Sequence, residues 1–376
     1  MRFVSRQVRW RWAVVVCGVA VLCSIPAIVA AIPVPGSSIT ATALRARILA
    51  SVTVPYEGYV ESTADFGLPT LPDLSDVSKL LDGTTEQYAW YRSPAHWRAD
   101  TLGTAGENDV YQVCRRTFLW YQAGNLLTRV VGAQPVRLPR AADLLPPALA
   151  GRLLRLAAPA DRLSRLPSLR VAGVDAAGLR LVPASPTTTV GAIEVWADPA
   201  SGLPVAVKVF ARGASQPILV SDFLQFSLRR PALATVIPHP APGVDQATAR
   251  LSSLNGILNG GRRHPWPPEL GGLRLSATPG DLTGVAFYGT GFARLALLPI
   301  PGRTGPQLVQ AATSAGAGTI TLPGGSAVLV RTPLLTVLLA TSDRFGGLTF
   351  LLAGPVTAAT LENAAGDLLA LIERAR

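Results

Sequence analysis

Three histidines, three cysteines and 23 acidic residues are the raw material for catalysis or metal binding in this chain of 376 residues. His96, His239 and His264 do not pair at metal-ligand spacing, and His239 and His264 stand beside prolines. A metal centre is therefore not expected. The chain has no G-x-S-x-G elbow and no G-x-x-x-x-G-K loop, which argues against acyl transfer and phosphate chemistry. Gly289-Thr290-Gly291 begins like a dinucleotide fingerprint, but the third glycine is missing and the pair reads as a tight hairpin turn. Asp65, Asp73, Glu107 and Asp109 fall in expected loops, with nothing to bring two of them together as acid and base. Cys114 is the one cysteine outside the N-terminal apolar run. It has no intrachain partner there and reads as a small buried hydrophobe. No cofactor, metal or catalytic residue is expected, and the chain reads as a binding protein, not an enzyme.

The chemistry that remains is apolar burial. Tyr59, Tyr88, Trp90, Trp97, Trp120, Tyr121, Trp196, Phe210 and Phe223 lie on strand-like segments whose two alternating faces are both apolar or aromatic. A sheet with one wet face would read more polar. Two readings stay open: a sheet packed on both sides, or a concave sheet lining an apolar cavity. A cavity of the second kind holds an acyl chain without catalytic groups, at about 0.8 kcal/mol per buried methylene. The candidate lipid-binding residues are Tyr59, Trp90, Trp97, Trp120, Trp196, Phe210 and Phe223. Strand parity decides which of them point inward.

The elements that must carry these residues begin after residue 38. Arg2, Arg6, Arg9 and Arg11 precede an uncharged run from Ala13 to Ile32, long enough to cross a bilayer with its basic end cytoplasmic. The run reads as a retained anchor or as a cleaved signal segment, and both place the bulk of the chain outside the cytoplasm. Residues 1–38 are thus stub, anchor and joint. The net charge is +11, but Lys79 and Lys208 are the only lysines. That arginine bias suits a GC-rich coding sequence, so nucleic acid is not an expected partner and the membrane surface is.

Residues 39–237 read as one α+β domain. A helix is expected over Thr40–Ser51 and a second over Asp143–Leu163, broken by Pro146-Pro147; strands are expected around them. Asp198-Pro199-Ala200-Ser201-Gly202 reads as a hairpin turn. Residues 238–268 have linker composition, with a short helix expected over Val244–Leu258. Residues 269–376 read as a smaller α+β domain of strands closed by a helix from Thr357, with Leu361, Leu368, Leu369 and Ile372 on its core face.

Three stretches carry a family resemblance. They are Tyr56-Glu57-Gly58-Tyr59-Val60-Glu61-Ser62, Tyr91-Arg92-Ser93-Pro94-Ala95-His96-Trp97-Arg98-Ala99-Asp100, and the run from Val171-Ala172-Gly173 through Glu194-Val195-Trp196-Ala197-Asp198 to Gly202-Leu203-Pro204. Over about residues 50–240 the chain resembles the lipoprotein-carrier superfamily of LolA, LolB and RseB (MucB), most closely the RseB type, in an actinobacterial form. The resemblance implies a half-open antiparallel β-barrel with a helical lid and a cavity for the acyl chain of a lipid or lipoprotein. It also implies a smaller second domain that helps contact an anti-sigma factor. Two functions follow as expectations: a membrane-anchored lipid or lipoprotein binder, served by an ABC transporter or similar partner, or a regulator of an extracytoplasmic-function sigma factor. The segment from Asp65 to Leu81 reads as an extra loop relative to that pattern.

Overall fold

A computed structural model describes residues 12, 15–19, 33–67, 75–104, 106–131, 139–250, 266–276, 284–300, 302, 304–344 and 347–374. The apolar run Ala13–Ile32 lies largely outside them. Among the described residues no helix is long and apolar enough to cross a membrane.

The fold is α+β and mostly strand. The first sheet holds β1 (Tyr56–Asp65), β2 (Asp82–Ser93), β3 (His96–Gly103), β4 (Gly106–Val113), β5 (Arg116–Tyr121), β6 (Leu126–Val131), β7 (Arg162–Val171), β8 (Val174–Val182), β9 (Val190–Ala197), β10 (Pro204–Ala211), β11 (Pro217–Ser227) and β12 (Asp245–Arg250). Their spatial order is β12-β6-β5-β4-β3-β2-β1-β11-β10-β9-β8-β7, so the sheet is open and its end strands do not meet. All neighbours are antiparallel except β12, which runs parallel to β6. β12 corrects the helix expected over Val244–Leu258 and takes part of the linker segment into the first sheet. The polar sequence Asp-Gln-Ala-Thr-Ala-Arg is extended because the free edge of β6 offers it a ladder, begun by Asp245 N–H donating to the Asn125 carbonyl at 3.0 Å. Residues 251–258 lie outside the described set.

Two helices close one face of this sheet. α1 (Ala41–Ala50) is capped by Thr40, whose Oγ1 accepts from the Ala43 amide, and turns Leu44 and Ile48 inward at i, i+4 spacing;. The segment from Asp65 contains α2 (Ser75–Leu81) before β2. α3 (Pro146–Arg155) begins at the prolines expected to break it. Proline suits a helix's first turn, where its missing N–H has no partner to lose. The leucine-rich region expected to run helical to Leu163 therefore splits into α3 and β7. Leu149 and Leu154 of α3 pack with Leu44, Ile48, Leu179, Leu181, Ile193, Val195, Val207 and Val209 in the first core. The Asp198–Gly202 turn closes on α1: Asp198 Oδ2 accepts from the Ser201 amide at 2.9 Å, Gly202 has φ +75°, and Arg47 reaches the Pro199 carbonyl.

The second sheet holds β13 (Glu269–Leu270), β14 (Leu273–Ser276), β15 (Ala286–Thr290), β16 (Ala293–Ile300), β17 (Gly318–Leu322), β18 (Gly325–Arg331), β19 (Thr336–Ser342) and β20 (Thr349–Gly354). Its order is β13-β14-β15-β16-β20-β19-β18-β17. Between β16 and β17 lies α4 (Thr304–Ser314), whose Ala312 meets Val328 and Leu339. The closing helix α5 (Ala358–Arg374) buries Leu361, Leu368 and Leu369 against Leu329, Leu338 and Leu352. The two sheets meet at the segment before β9. Thr188, fully buried, bridges to Val356. Its hydroxyl lies 3.0 Å from the Phe292 carbonyl and 2.8 Å from that of Pro355.

Candidate functional site

Side chains alternate faces along a strand, so the first sheet presents two separate surfaces. On the helix-covered side a single cross-strand row runs Tyr56–Tyr91–Trp97–Gln112–Thr117 over β1 to β5, each residue directly opposite the next. All five line one cavity of about 460 Å³. Its roof comes from Ile48 and Leu49 of α1 and Val52 just after it, and from Leu145, which caps α3, with Pro147, Ala148 and Gly151 of α3. Arg98, Arg140, Asp143 and Arg155 supply its charged lining. The floor is a rigid aromatic layer. Tyr56 and Tyr91 stack at 5.1 Å with 10° between their planes, and Phe223, on the same face of the sheet, meets Tyr56 edge-on at 5.7 Å. Burial pushes the Tyr91 hydroxyl up to about 12 and raises that of Tyr56 further, with Tyr91 adding to it. Both phenols are neutral at physiological pH. Ser221, fully buried, donates to the Leu144 carbonyl at 2.6 Å and bonds Ser62 at 2.9 Å, fixing the α3 corner on β1 and β11.

Of the seven candidate residues, the structure brings Trp97 to the cavity. Phe223 lies beside the floor on the same face, against Tyr56, and does not line the cavity. Tyr59, Trp90 and Trp120 are corrected to the opposite face. Trp90 is the neighbour of Tyr91 on one strand, and Trp120 lies three residues from Thr117, so parity turns each away. Tyr59 pairs with Tyr88 at 4.8 Å. Trp196 and Phe210 stand under cations: Lys208 Nζ is 5.3 Å above the first and the Arg180 guanidinium 5.9 Å above the second. Tyr56 and Tyr91 are the cavity residues that the aromatic inventory passed over, because only the pairing register puts them on the same face as Trp97.

The outward face carries charge. Arg98 contacts Asp100 at 2.5 Å, Asp109 at 3.3 Å and Glu107 at 3.4 Å. Its guanidinium sits 5.1 Å from the Trp90 ring and 5.0 Å from the Tyr111 ring. Glu107 and Asp109 correct the expectation of scattered loop residues: their carboxylate oxygens and those of Asp100 lie within 4.8 Å of one another, a spacing that a metal ion could bridge. Arg98 supplies the positive charge among them. Burial pushes the Asp100 carboxyl up to about 8, against the pull of Arg98. Asp109 is also raised by burial. One guanidinium does not neutralise three carboxylates, so the cluster retains a proton to higher pH than isolated acids do. Cys114, expected to be buried, is exposed at the β4–β5 turn with φ +55°, and its Sγ lies 3.7 Å from His96 Nε2.

No protein-family model matches this sequence, and no curated protein matches it. Among solved structures it is similar to MucB in the Pseudomonas aeruginosa MucA/MucB complex, with TM-score 0.49, 17% identity, and coverage of 86% of this chain and 96% of that one. It is similar to MucB in complex with MucA(peri), with TM-score 0.48, 16% identity and coverage of 86% and 97%. A LolA superfamily protein from Nitrosomonas europaea matches with TM-score 0.22 and 9% identity over 54% of this chain and 99% of that one. The structural neighbours of this chain include MucB and LolA-superfamily proteins.

Proposed function

We propose that this chain is an extracytoplasmic binding protein, held at the cytoplasmic membrane by its N-terminal apolar run, whose first sheet carries the acyl chain of a lipid or lipoprotein. The observation behind this reading is the cavity of about 460 Å³ between α1, α3 and the Tyr56–Tyr91–Trp97 floor. That volume is of ligand-pocket size. About ten buried methylenes would contribute roughly 8 kcal/mol before the costs of association. The charged lining suits a polar headgroup. Asp100, Glu107 and Asp109 are not among the residues that line this space, although Arg98 is, which favours binding over catalysis. The test is to purify the full chain in neutral detergent, extract it with organic solvent, and titrate it with a fluorescent fatty acid. Stoichiometric lipid or saturable uptake supports the reading; a chain that yields no lipid and takes up no fatty acid defeats it.

A second reading, regulation of an extracytoplasmic-function sigma factor through a membrane anti-sigma factor, is favoured by the joint between the sheets. α3 roofs the cavity, and the Leu156 carbonyl at its end lies against Gly291 of the second unit, only 3.0 Å from where a Cβ would stand. Phe292 and Leu334 of that unit pack into the first core. Movement of α3 on ligand entry would therefore reach the second unit. Co-purification with the outer segment of a neighbouring anti-sigma factor, released by lipid, would support this; indifference of such a complex to lipid would refute it.

A further inference from the structure

The outward face of β1, β2 and β11 combines features that the lipid reading leaves unused. Asp222, Glu61 and Glu86 stand directly opposite one another across β11, β1 and β2. Like charges in opposed positions destabilise a sheet, and burial followed by the Glu61 charge raises the Asp222 carboxyl. Among the described residues, the cations facing this region are few. Arg229 is bonded to Glu57 at 2.8 Å. Lys208, on β10, lowers Asp222 and lies over Trp196. The next row on the same face is aromatic: Tyr59 and Tyr88, with ring centroids 4.8 Å apart, and Tyr88 stacks on Trp90 at 5.9 Å. Tyr88 is 39% exposed.

The same sheet shows what such a surface receives. Two rows further on, Arg98 lies against the Trp90 and Tyr111 rings and pairs with the carboxylates of Asp100, Glu107 and Asp109. That is a guanidinium seat of aromatic walls and acids, filled by the chain itself. Tyr59, Tyr88, Glu61, Glu86 and Asp222 repeat its composition without a resident guanidinium among the described residues, on a chain whose net charge is +11. We propose that the outward face of β1, β2 and β11 docks an arginine-bearing polypeptide segment, with guanidinium groups over Tyr59 and Tyr88 and paired to the Asp222–Glu61–Glu86 row. Charge complementarity selects the partner, because the rest of the chain repels a basic segment, and aromatic faces favour arginine over lysine.

The test uses the full chain in neutral-detergent micelles and a fluorescein-labelled nona-arginine peptide, read by anisotropy at about 50 mM and about 500 mM salt. Nona-glutamate is the counter-probe. Glu61→Gln with Glu86→Gln relieves like-charge repulsion, so the sheet should fold at least as well as the parent, which thermal melting checks. This double variant should weaken peptide binding about tenfold or more, and Tyr88→Ser should weaken it several-fold. Glu362→Gln with Glu373→Gln, the same charge change in the second unit, should alter it less than about twofold. High salt should weaken binding by the parent. Failure of nona-arginine to bind at low salt overturns the proposal, as does equal loss in the two double variants. Calcium binding that depends on Glu61 and Glu86, without peptide binding, would also overturn it in favour of a metal site.

Discussion

Trp90 and Trp97 lie on neighbouring strands, and both are aromatic and half-buried, yet only Trp97 faces the cavity. Trp97→Ala should therefore weaken lipid binding while Trp90→Ala leaves it intact. An indole buries about 150–250 Å². If half of the Trp97 surface, roughly 100 Å², meets the tail, its loss removes about 2.5 kcal/mol at 25 cal/mol per Å². That is close to a 70-fold rise in Kd. The assay is titration of the purified chain with a fluorescent fatty acid, corrected for the folded fraction by circular dichroism. Trp90→Ala strips one wall from Arg98 on the outward face. It should cost stability but change Kd by less than about twofold. Equal effects of the two variants on lipid affinity, or a larger effect of Trp90→Ala, would refute the assignment of faces and with it the cavity as lipid site.

Three other perturbations follow from particular contacts. Thr188→Val keeps the side-chain shape but leaves the carbonyls of Phe292 and Pro355 without their buried hydroxyl; urea unfolding should show a loss of about 1–3 kcal/mol, with earlier proteolysis between the two units. Gly202→Ala puts a Cβ at φ +75° and 2.5 Å from the Arg47 carbonyl, so strain and clash together should cost at least about 2 kcal/mol, read as a drop in Tm. Asp100 has its folded pKa raised to about 8 from 3.8, so the folded state holds a proton there that the unfolded chain releases near pH 4. The stability from this group is full below pH 4 and is lost as pH rises to about 8, by at most about 6 kcal/mol; urea titrations at pH 5 and pH 9 should show a smaller pH difference for Asp100→Asn than for the parent.

What the sequence made legible was local. The Asp198–Gly202 turn, the hairpin at Gly289–Gly291 and the apolar face of α5 each depend on a few neighbouring residues with known conformational preferences. β12 was illegible because Asp245–Arg250 has no strand pattern of its own; it is extended only through pairing with an edge 119 residues earlier, Asp245 opposite Leu126. α4 was missed because Gly305 and Pro306 stand in its first turn. The cavity floor was half legible. Tyr88, Trp90 and Tyr91 are aromatic on both parities, so alternation carries no information there, and the pairing register alone turns Tyr91 inward. The acid cluster had a signal that went unused: Arg98-x-Asp100 and Glu107-x-Asp109 place like-facing groups two apart on either side of a tight turn, the spacing of side chains on one face of a hairpin.

The two faces of this sheet are mechanically one object. Trp97, on the cavity floor, is followed directly by Arg98, the centre of the outward ion cluster. A rotation of β3 that let the floor yield to a tail would swing Arg98 away from Asp100, Asp109 and the rings of Trp90 and Tyr111, leaving two nearly inaccessible carboxyls without their cation. Breaking a buried pair in that way costs about 3–5 kcal/mol, a large share of what a single tail can contribute on binding. The floor is therefore stiff. A ligand has to be admitted by the roof, where α1 and α3 rest on the sheet through side-chain packing and a few polar ties such as Ser221 to Leu144. That places the moving part next to Leu156 and Gly291, at the contact with the second unit, and it makes the state of the roof the quantity that a partner of that unit could sense.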